Sequence, residues 1–250
     1  MSKDVARKSS ATPVRQTSSP ADIAAFKAAL AAVPVTERRK PELKPRLIFA
    51  MDATGSRQPT WDMAMGLQAD MVAAAGSEGL EVALGFYRGY DECKITGKYY
   101  SEAGDVTRLM TSISPQAGDT QIGKLFQGFV NHAEREDGAR IAAFIGDCFE
   151  EGLDSVLAKA GELKRLGFRV FMFQEGDNPG VESAFKAVAE ATGSLHAKFD
   201  QGSAAQLRDL MRSVVSYAAR RPNHPALTSG SSNTAAFQRA LAALPPPAQG

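Results

Sequence analysis

Arg46-Leu-Ile-Phe-Ala-Met-Asp-Ala-Thr-Gly-Ser56 joins an apolar run to a cluster of oxygen-bearing side chains. Leu47 to Met51 is uninterrupted hydrophobic sequence, which predicts a strand buried on both faces of a sheet. The run ends in Asp52, and Thr54 and Ser56 follow it. One carboxylate and two hydroxyls thus leave the sheet together. Ligands that offer only oxygen suit a hard divalent cation such as Mg2+. The plainer reading is a polar strand-to-helix turn in which Ser56 caps the next helix.

Outward from this stretch, strands and helices alternate. A strand over 46–52 precedes a helix over 59–76. Strands over 81–88 and 93–100 flank Gly89-Tyr90-Asp91-Glu92, a hairpin signal. A short helix covers 105–113. The next, 120–136, places Ile122, Leu125, Phe126, Phe129, Val130 and Ala133 on one face. Strand 140–146, helix 152–166 closed by Gly167, and strand 169–174 come next. Helix 180–192 ends at Gly193, and strand 195–199 leads to a final core helix over 203–220. This order predicts an α/β fold with a doubly wound, mostly parallel sheet. It has one antiparallel edge strand and helices on both faces. Such sheets bind ligands at the carboxyl ends of strands where the strand order reverses. Asp52 and Asp147 both end buried strands, the second being Ile141-Ala-Ala-Phe-Ile-Gly-Asp147.

Asp52, Thr54 and Ser56, then Thr120 in Gly118-Asp-Thr-Gln-Ile-Gly123, then Asp147, resemble the metal-ion-dependent adhesion site (MIDAS) of von Willebrand factor A (VWA) domains. That motif reads D-x-S-x-S, then T, then D. Thr54 replaces the first serine and keeps its hydroxyl. Gly118 and Gly123 match the glycines around the family's threonine. Cys148 stands where the family often has glycine. The resemblance spans roughly residues 44–221. It implies direct ligation of Mg2+, or of a similar ion such as Mn2+, by Thr54, Ser56 and Thr120. Asp52 and Asp147 then hold waters and orient the site. A cation with few anionic ligands accepts a Glu or Asp from a partner protein. The resemblance therefore implies a stand-alone bacterial adaptor rather than an enzyme. Family members of this kind often work beside chaperones, ATPases or stress-response proteins.

The chain has 250 residues, enough for one substantial core with tails. Its net charge of +1 argues against an extended nucleic-acid surface. Cys93 and Cys148 make no disulfide framework and no C-x-x-C pair, which fits a cytoplasmic setting without zinc. No secretory h-region or membrane span is visible in the sequence.

Rival chemistry attaches to some of the same residues. Asp52-Ala-Thr-Gly-Ser56 also resembles the D-x-T-G-T of P-type ATPases. A haloacid-dehalogenase-like phosphatase would use Asp52 as nucleophile, Asp147 with Glu150 and Glu151 as its acidic motif, and Lys98 or Lys124 to neutralise phosphate. Gly118 to Lys124 nearly spells a phosphate-binding loop, but Leu125 stands where Ser or Thr is needed. Glu150 and Glu151 read first as acids favoured at the start of their own helix. Their second reading is an acidic shell around the metal. Trp61, Met63, Met65 and Met71 read as core, and Cys148 as an inert core thiol with a lesser redox-sensitive reading. His132, His196 and His224 show no catalytic or metal spacing.

A repeat brackets the core. Ala24-Ala-Phe-Lys-Ala-Ala-Leu-Ala-Ala-Val-Pro34 returns as Ala235-Ala-Phe-Gln-Arg-Ala-Leu-Ala-Ala-Leu-Pro245. The predicted organisation is a basic Ser/Thr-rich tail over 1–18, a helix over 19–34, a linker over 35–45 and the main domain over 46–220. A second linker over 221–232, a helix over 233–245 and a tail over 246–250 complete it. Isolated helices of this length are marginal in water. Either they pack on the domain, or they offer Phe26, Leu30 and Val33, and Phe237, Leu241 and Leu244, to a partner's groove. Linkers on both sides favour the second expectation.

Overall fold

The computed structural model describes residues 44–135, 137–200, 203–219 and 232–247. Within these, the side chains at 63–65, 67–71, 103 and 232–234 are not described. The first repeat copy, with Phe26, Leu30 and Val33, lies outside the described residues. So does the core reading of Met63, Met65 and Met71.

The strands are β1 (Arg46–Asp52), β2 (Glu81–Arg88), β3 (Glu92–Ile95), β4 (Ile141–Gly146), β5 (Arg169–Glu175) and β6 (His196–Phe199). They form one sheet in the order β3-β2-β1-β4-β5-β6, and β3 alone runs antiparallel to its neighbour. The helices are α1 (Trp61–Ser77), α2 (Ala103–Met110), α3 (Ile122–Ala133), α4 (Leu153–Arg165), α5 (Pro179–Ala191), α6 (Ala204–Ala218) and α7 (Ser232–Ala243).

Strand periodicity divides β1 between two cores. Leu47, Phe49 and Met51 face one, which also takes Trp61, Val106, Met211 and Phe237. Ile48 and Ala50 face the other, with Phe126, Phe129, Val156 and Phe185. A strand covered on both faces must be apolar at every position, which is why the 47–51 run has no alternation. The α3 stripe predicted from spacing is buried throughout. Burial of each ring there is worth about 2–3 kcal/mol. Gly167 and Gly193 follow α4 and α5 with φ of 71° and 69°, a left-handed conformation that glycine adopts without steric cost. Asn178 starts α5, its Oδ1 accepting from Gly180 N at 2.9 Å.

Two elements differ from expectation. The strand expected over 93–100 is regular only through Ile95. Val82 pairs with Tyr100 rather than Lys98, so the edge takes up two extra residues between Ile95 and Tyr100. Thr96 Oγ1 bridges this stretch, accepting from Leu84 N at 3.0 Å and donating to Lys98 O at 3.1 Å. A 3-10 turn over Gly55–Thr60, containing Pro59, precedes α1.

The second repeat copy is taken up by the domain. Phe237 is 6% exposed, and its ring lies 5.7 Å from that of Phe173 and 6.3 Å from that of Phe171. Leu241 is buried beside it, and Leu244 is partly buried against the same cluster. Pro245 O accepts from Tyr217 Oη at 2.7 Å and from Arg169 Nη1 at 2.8 Å. Phe237, Leu241 and Leu244 are therefore core anchors, which corrects the expectation that they face a partner. An apolar side of the sheet at β5 was there to receive them, and only the fold reveals it.

Candidate metal centre

The strand order reverses between β1 and β4, so the two aspartates come to neighbouring strand ends. Met51 is in register with Ile145, which sets Asp52 level with Gly146 and one residue from Asp147. Asp52 is fully buried. Its Oδ1 accepts from Thr54 N at 2.7 Å, and its Oδ2 accepts from Tyr87 Oη at 3.1 Å. The first bond folds the chain back after β1 and turns the following hydroxyls toward β4. Thr54 Oγ1 then lies 3.1 Å from Ser56 Oγ, which donates to Asp147 Oδ1 at 3.2 Å. Four of the five expected residues are thus joined in one continuous chain of hydrogen-bond contacts.

Thr120 joins by another route. Its Oγ1 accepts from Glu150 N at 3.0 Å, and its own N donates to Glu150 Oε2 at 3.1 Å. Glu150 is three residues beyond Asp147, so this reciprocal pair ties the threonine loop to the aspartate loop. A hydroxyl oxygen that accepts one bond keeps a second lone pair for a cation. Glu151 acts beside it. Its carboxylate accepts from Ile122 N and, at 2.9 Å, from Gly123 N. The two acids therefore serve the start of α3, not the start of their own helix α4. A methyl group on Gly123 would press on that carboxylate, and one on Gly118 would collide with the Gly89 carbonyl. Gln121 holds the same loop to the β2–β3 turn, its Nε2 donating to Gly89 O at 3.0 Å.

The donors fit a hard divalent cation. All are oxygens; among the described residues no three His, Cys, Asp or Glu side chains group to hold a metal ion, so a cation here would depend on the hydroxyls of Thr54, Ser56 and Thr120 beside the two aspartates. Burial raises the Asp52 carboxyl from its ordinary 3.8 to about 6, and the charge of Asp147 adds to this. The bonds from Thr54 and Tyr87 oppose it. A buried carboxylate in this condition is relieved by a nearby cation.

The phosphatase reading finds no support here. A nucleophilic carboxylate needs an accessible oxygen, and both Asp52 oxygens are buried and engaged. Lys124 Nζ reaches Asp91 at 2.9 Å, and Lys98 Nζ lies 4.9 Å from the Tyr100 ring centre, so both are engaged at the surface. Cys148 is half-buried rather than in the core. Burial and the charges of Asp147, Glu150 and Asp52 push its thiol up, which disfavours the reactive thiolate. His132 Nδ1 pairs with Tyr99 Oη at 3.1 Å and His196 Nε2 with Gln174 at 3.3 Å, both structural contacts. No helix of the described residues is long and apolar enough to cross a membrane.

The sequence reading missed Tyr87, Gln121 and Arg57. Tyr87 sits in register with Asp52, so strand pairing was the signal that could have found it. Arg57 is 1% exposed directly after Ser56, and its Nη1 pairs with the buried Glu175 at the end of β5.

No protein-family model and no curated protein matches the sequence. Solved structures match its fold. BatB of Bacteroides thetaiotaomicron superposes with a TM-score of 0.56 at 17% identity, over 70% of this chain and 98% of that one. The VWA domain of SpRpn10 gives 0.53 at 10%, over 66% and 94%. Proximal thread matrix protein 1 of the mussel byssus, solved with zinc in its MIDAS motif, gives 0.55 at 19%, over 70% of this chain and 45% of that one. The fold is that of a VWA domain.

Proposed function

We propose that this VWA-fold chain is a divalent-cation-dependent protein-interaction module, an adaptor that binds an acidic side chain of a partner through Mg2+ or Mn2+. The observation that carries the reading is the contact chain from Asp52 through Thr54 and Ser56 to Asp147 at the carboxyl ends of adjacent strands. Asp52, Thr54, Ser56, Thr120 and Asp147 would hold the cation, the hydroxyls directly and the aspartates through water. The cation, when bound, offers a carboxylate a coordination position that neutral hydroxyls leave electron-poor. The protein's part is to fix those oxygens. Thr54 N and Tyr87 Oη orient Asp52, while Glu150 and Glu151 hold the Thr120 loop against the Asp147 loop. The zinc-occupied motif of the byssus protein supports divalent-cation chemistry on this fold.

The reading excludes turnover and places the protein in the cytoplasm. The partner is a protein, in keeping with the chaperone, ATPase and stress-response settings of similar domains. A pull-down from native lysate tests it. A partner captured in Mg2+ should be lost in EDTA and lost with Thr120→Ala. Capture that survives both would overturn the reading, as would phosphate release from an aryl phosphate that Asp52→Asn abolishes.

A further inference from the structure

The sheet has an open edge at β6, the last strand in its order. Leu195 O accepts from Met172 N at 3.0 Å, and Phe199 O accepts from Gly176 N at 3.0 Å, so Leu195, Ala197 and Phe199 turn their backbone groups to β5. In a parallel ladder the residues between them point the other way. The N–H and C=O of His196 and Lys198 therefore face away from the sheet, with no ladder partner among the described residues. A groove of about 340 Å³ lies beside them. Leu195 and Ala197 line it from the α6–α7 face of β6, and His196 and Lys198 from the α5 face. Successive side chains of a strand point to opposite faces, so a space that all four touch runs along the edge itself. On the first face its wall is apolar, made by Leu210 of α6 with Ala236, Phe237 and Ala240 of α7. On the second, Glu182 accepts from Lys198 at 2.7 Å and from Lys186 at 2.5 Å, one carboxylate for two ammonium groups. Asp177 acts on Lys198 more weakly. Past the end of the strand, Asp200 N donates to Gln206 Oε1 at 2.9 Å, which closes the edge there.

We propose that this edge takes up an extended segment of a partner protein as an added strand, in which apolar and acidic residues alternate. The proposal goes beyond the metal reading and does not rest on it. His196 and Lys198 together offer two backbone donors and two acceptors, which an extended chain meets and a helix cannot. Apolar side chains of the incoming strand enter the groove toward Leu210 and Phe237 and remove apolar surface from water. Its alternate side chains fall on the face of Lys198, where an acid gives the two lysines a second carboxylate. A second copy of β6 is the poorer occupant. Paired strands of four residues each bury far less than the roughly 1,200 Å² of a stable interface. Ala197 is too small to fill the facing groove, and two Lys198 side chains would share one face.

The test adds the blocked peptide Thr-Val-Glu-Val-Glu-Val-Thr to the full-length protein and follows backbone NMR signals and amide hydrogen exchange. The His196 and Lys198 amides should exchange freely without it and slow on the order of tenfold or more at saturation. Ala197 and Phe199, which face β5, should change little. The same peptide N-methylated at its valine and glutamate amides keeps the side chains but loses the ladder donors. It should bind on the order of tenfold more weakly. A peptide with lysine in place of glutamate should also bind more weakly. Ala236→Trp fills the groove from an exposed position on α7 and should cut peptide binding by about tenfold at an unchanged melting temperature. Ala240→Trp is the second variant if the first fails to fold. No response of His196 and Lys198 at millimolar peptide overturns the proposal. Equal binding of the N-methylated peptide overturns it in favour of an apolar small-molecule site. Slow exchange of both amides in the free protein overturns it as well, and protection that grows with protein concentration gives the edge to a second copy.

Discussion

Without a cation, Asp52 should make the protein less stable as pH rises. Its carboxyl is fully buried, and burial raises it to about 6 from an ordinary 3.8. The folded state therefore holds this proton more tightly than the unfolded chain. The stabilisation is complete below about pH 4 and is lost as pH rises through 6. The gap between 3.8 and about 6 corresponds to about 3 kcal/mol. Asp52→Asn removes this titration. The amide still accepts from Thr54 N, but its NH2 faces the Tyr87 hydroxyl, which costs about 1 kcal/mol of hydrogen bonding. Urea unfolding in EDTA from pH 4 to pH 7.5 measures the difference. Wild type should lose about 3 kcal/mol more than Asp52→Asn across that range, and the variant should be the more stable protein near neutrality by about 1–2 kcal/mol. Mg2+ should reverse that order by stabilising only the wild type. Parallel pH profiles for the two proteins in EDTA would refute the reasoning.

Phe237→Ala should destabilise the domain by about 3 kcal/mol, because its ring fills a core site against Phe171 and Phe173. A drop in melting temperature of roughly 6–12 °C would show it, whereas an unchanged value would return α7 to a docking role. Glu151→Ala removes the acceptor for Ile122 N and Gly123 N. It should cost about 1 kcal/mol in stability and weaken cation uptake by loosening the Thr120 loop. Equal cation affinity in this variant would separate the cap from the site. His196 is pushed down to about 4, first by burial and then by the charge of Lys186. Its neutral form contributes stability above the ordinary 6.5 that is lost as pH falls through 4. An NMR titration should find its midpoint near 4, and a midpoint near 6.5 would count against the burial argument.

Local periodicity carried most of the fold. Continuous apolar runs gave β1 and β4, and the helical spacing of Ile122, Leu125, Phe126 and Phe129 gave α3. Bounds failed where side chains replaced backbone pairing, as Thr96 does in the irregular stretch after β3. The turn over Gly55–Thr60 has no periodicity to read, and Pro59 falls inside it. In the site, Asp52, Thr54 and Ser56 were legible because they follow one strand. Asp147 joined them through the analogous position on another. The contacts that hold the site in place were not legible. Arg57 meets Glu175, and Tyr87 meets Asp52, only through strand neighbours distant in sequence. Glu151 looked like an acid at the start of its own helix, but its carboxylate turns to α3. The second repeat copy carried the signature of a free recognition helix. Nothing local in it announced the apolar side of β5 that buries it.

Paramagnetic broadening of backbone NMR signals by Mn2+ locates the cation directly. At substoichiometric Mn2+, the amides of Thr54, Ser56, Thr120 and Asp147 should disappear first and together, and excess Mg2+ should restore them. Broadening centred on another part of the chain would contradict a shared oxygen-lined site, as would loss of the Asp52–Ser56 and Asp147 signals while Thr120 stays sharp.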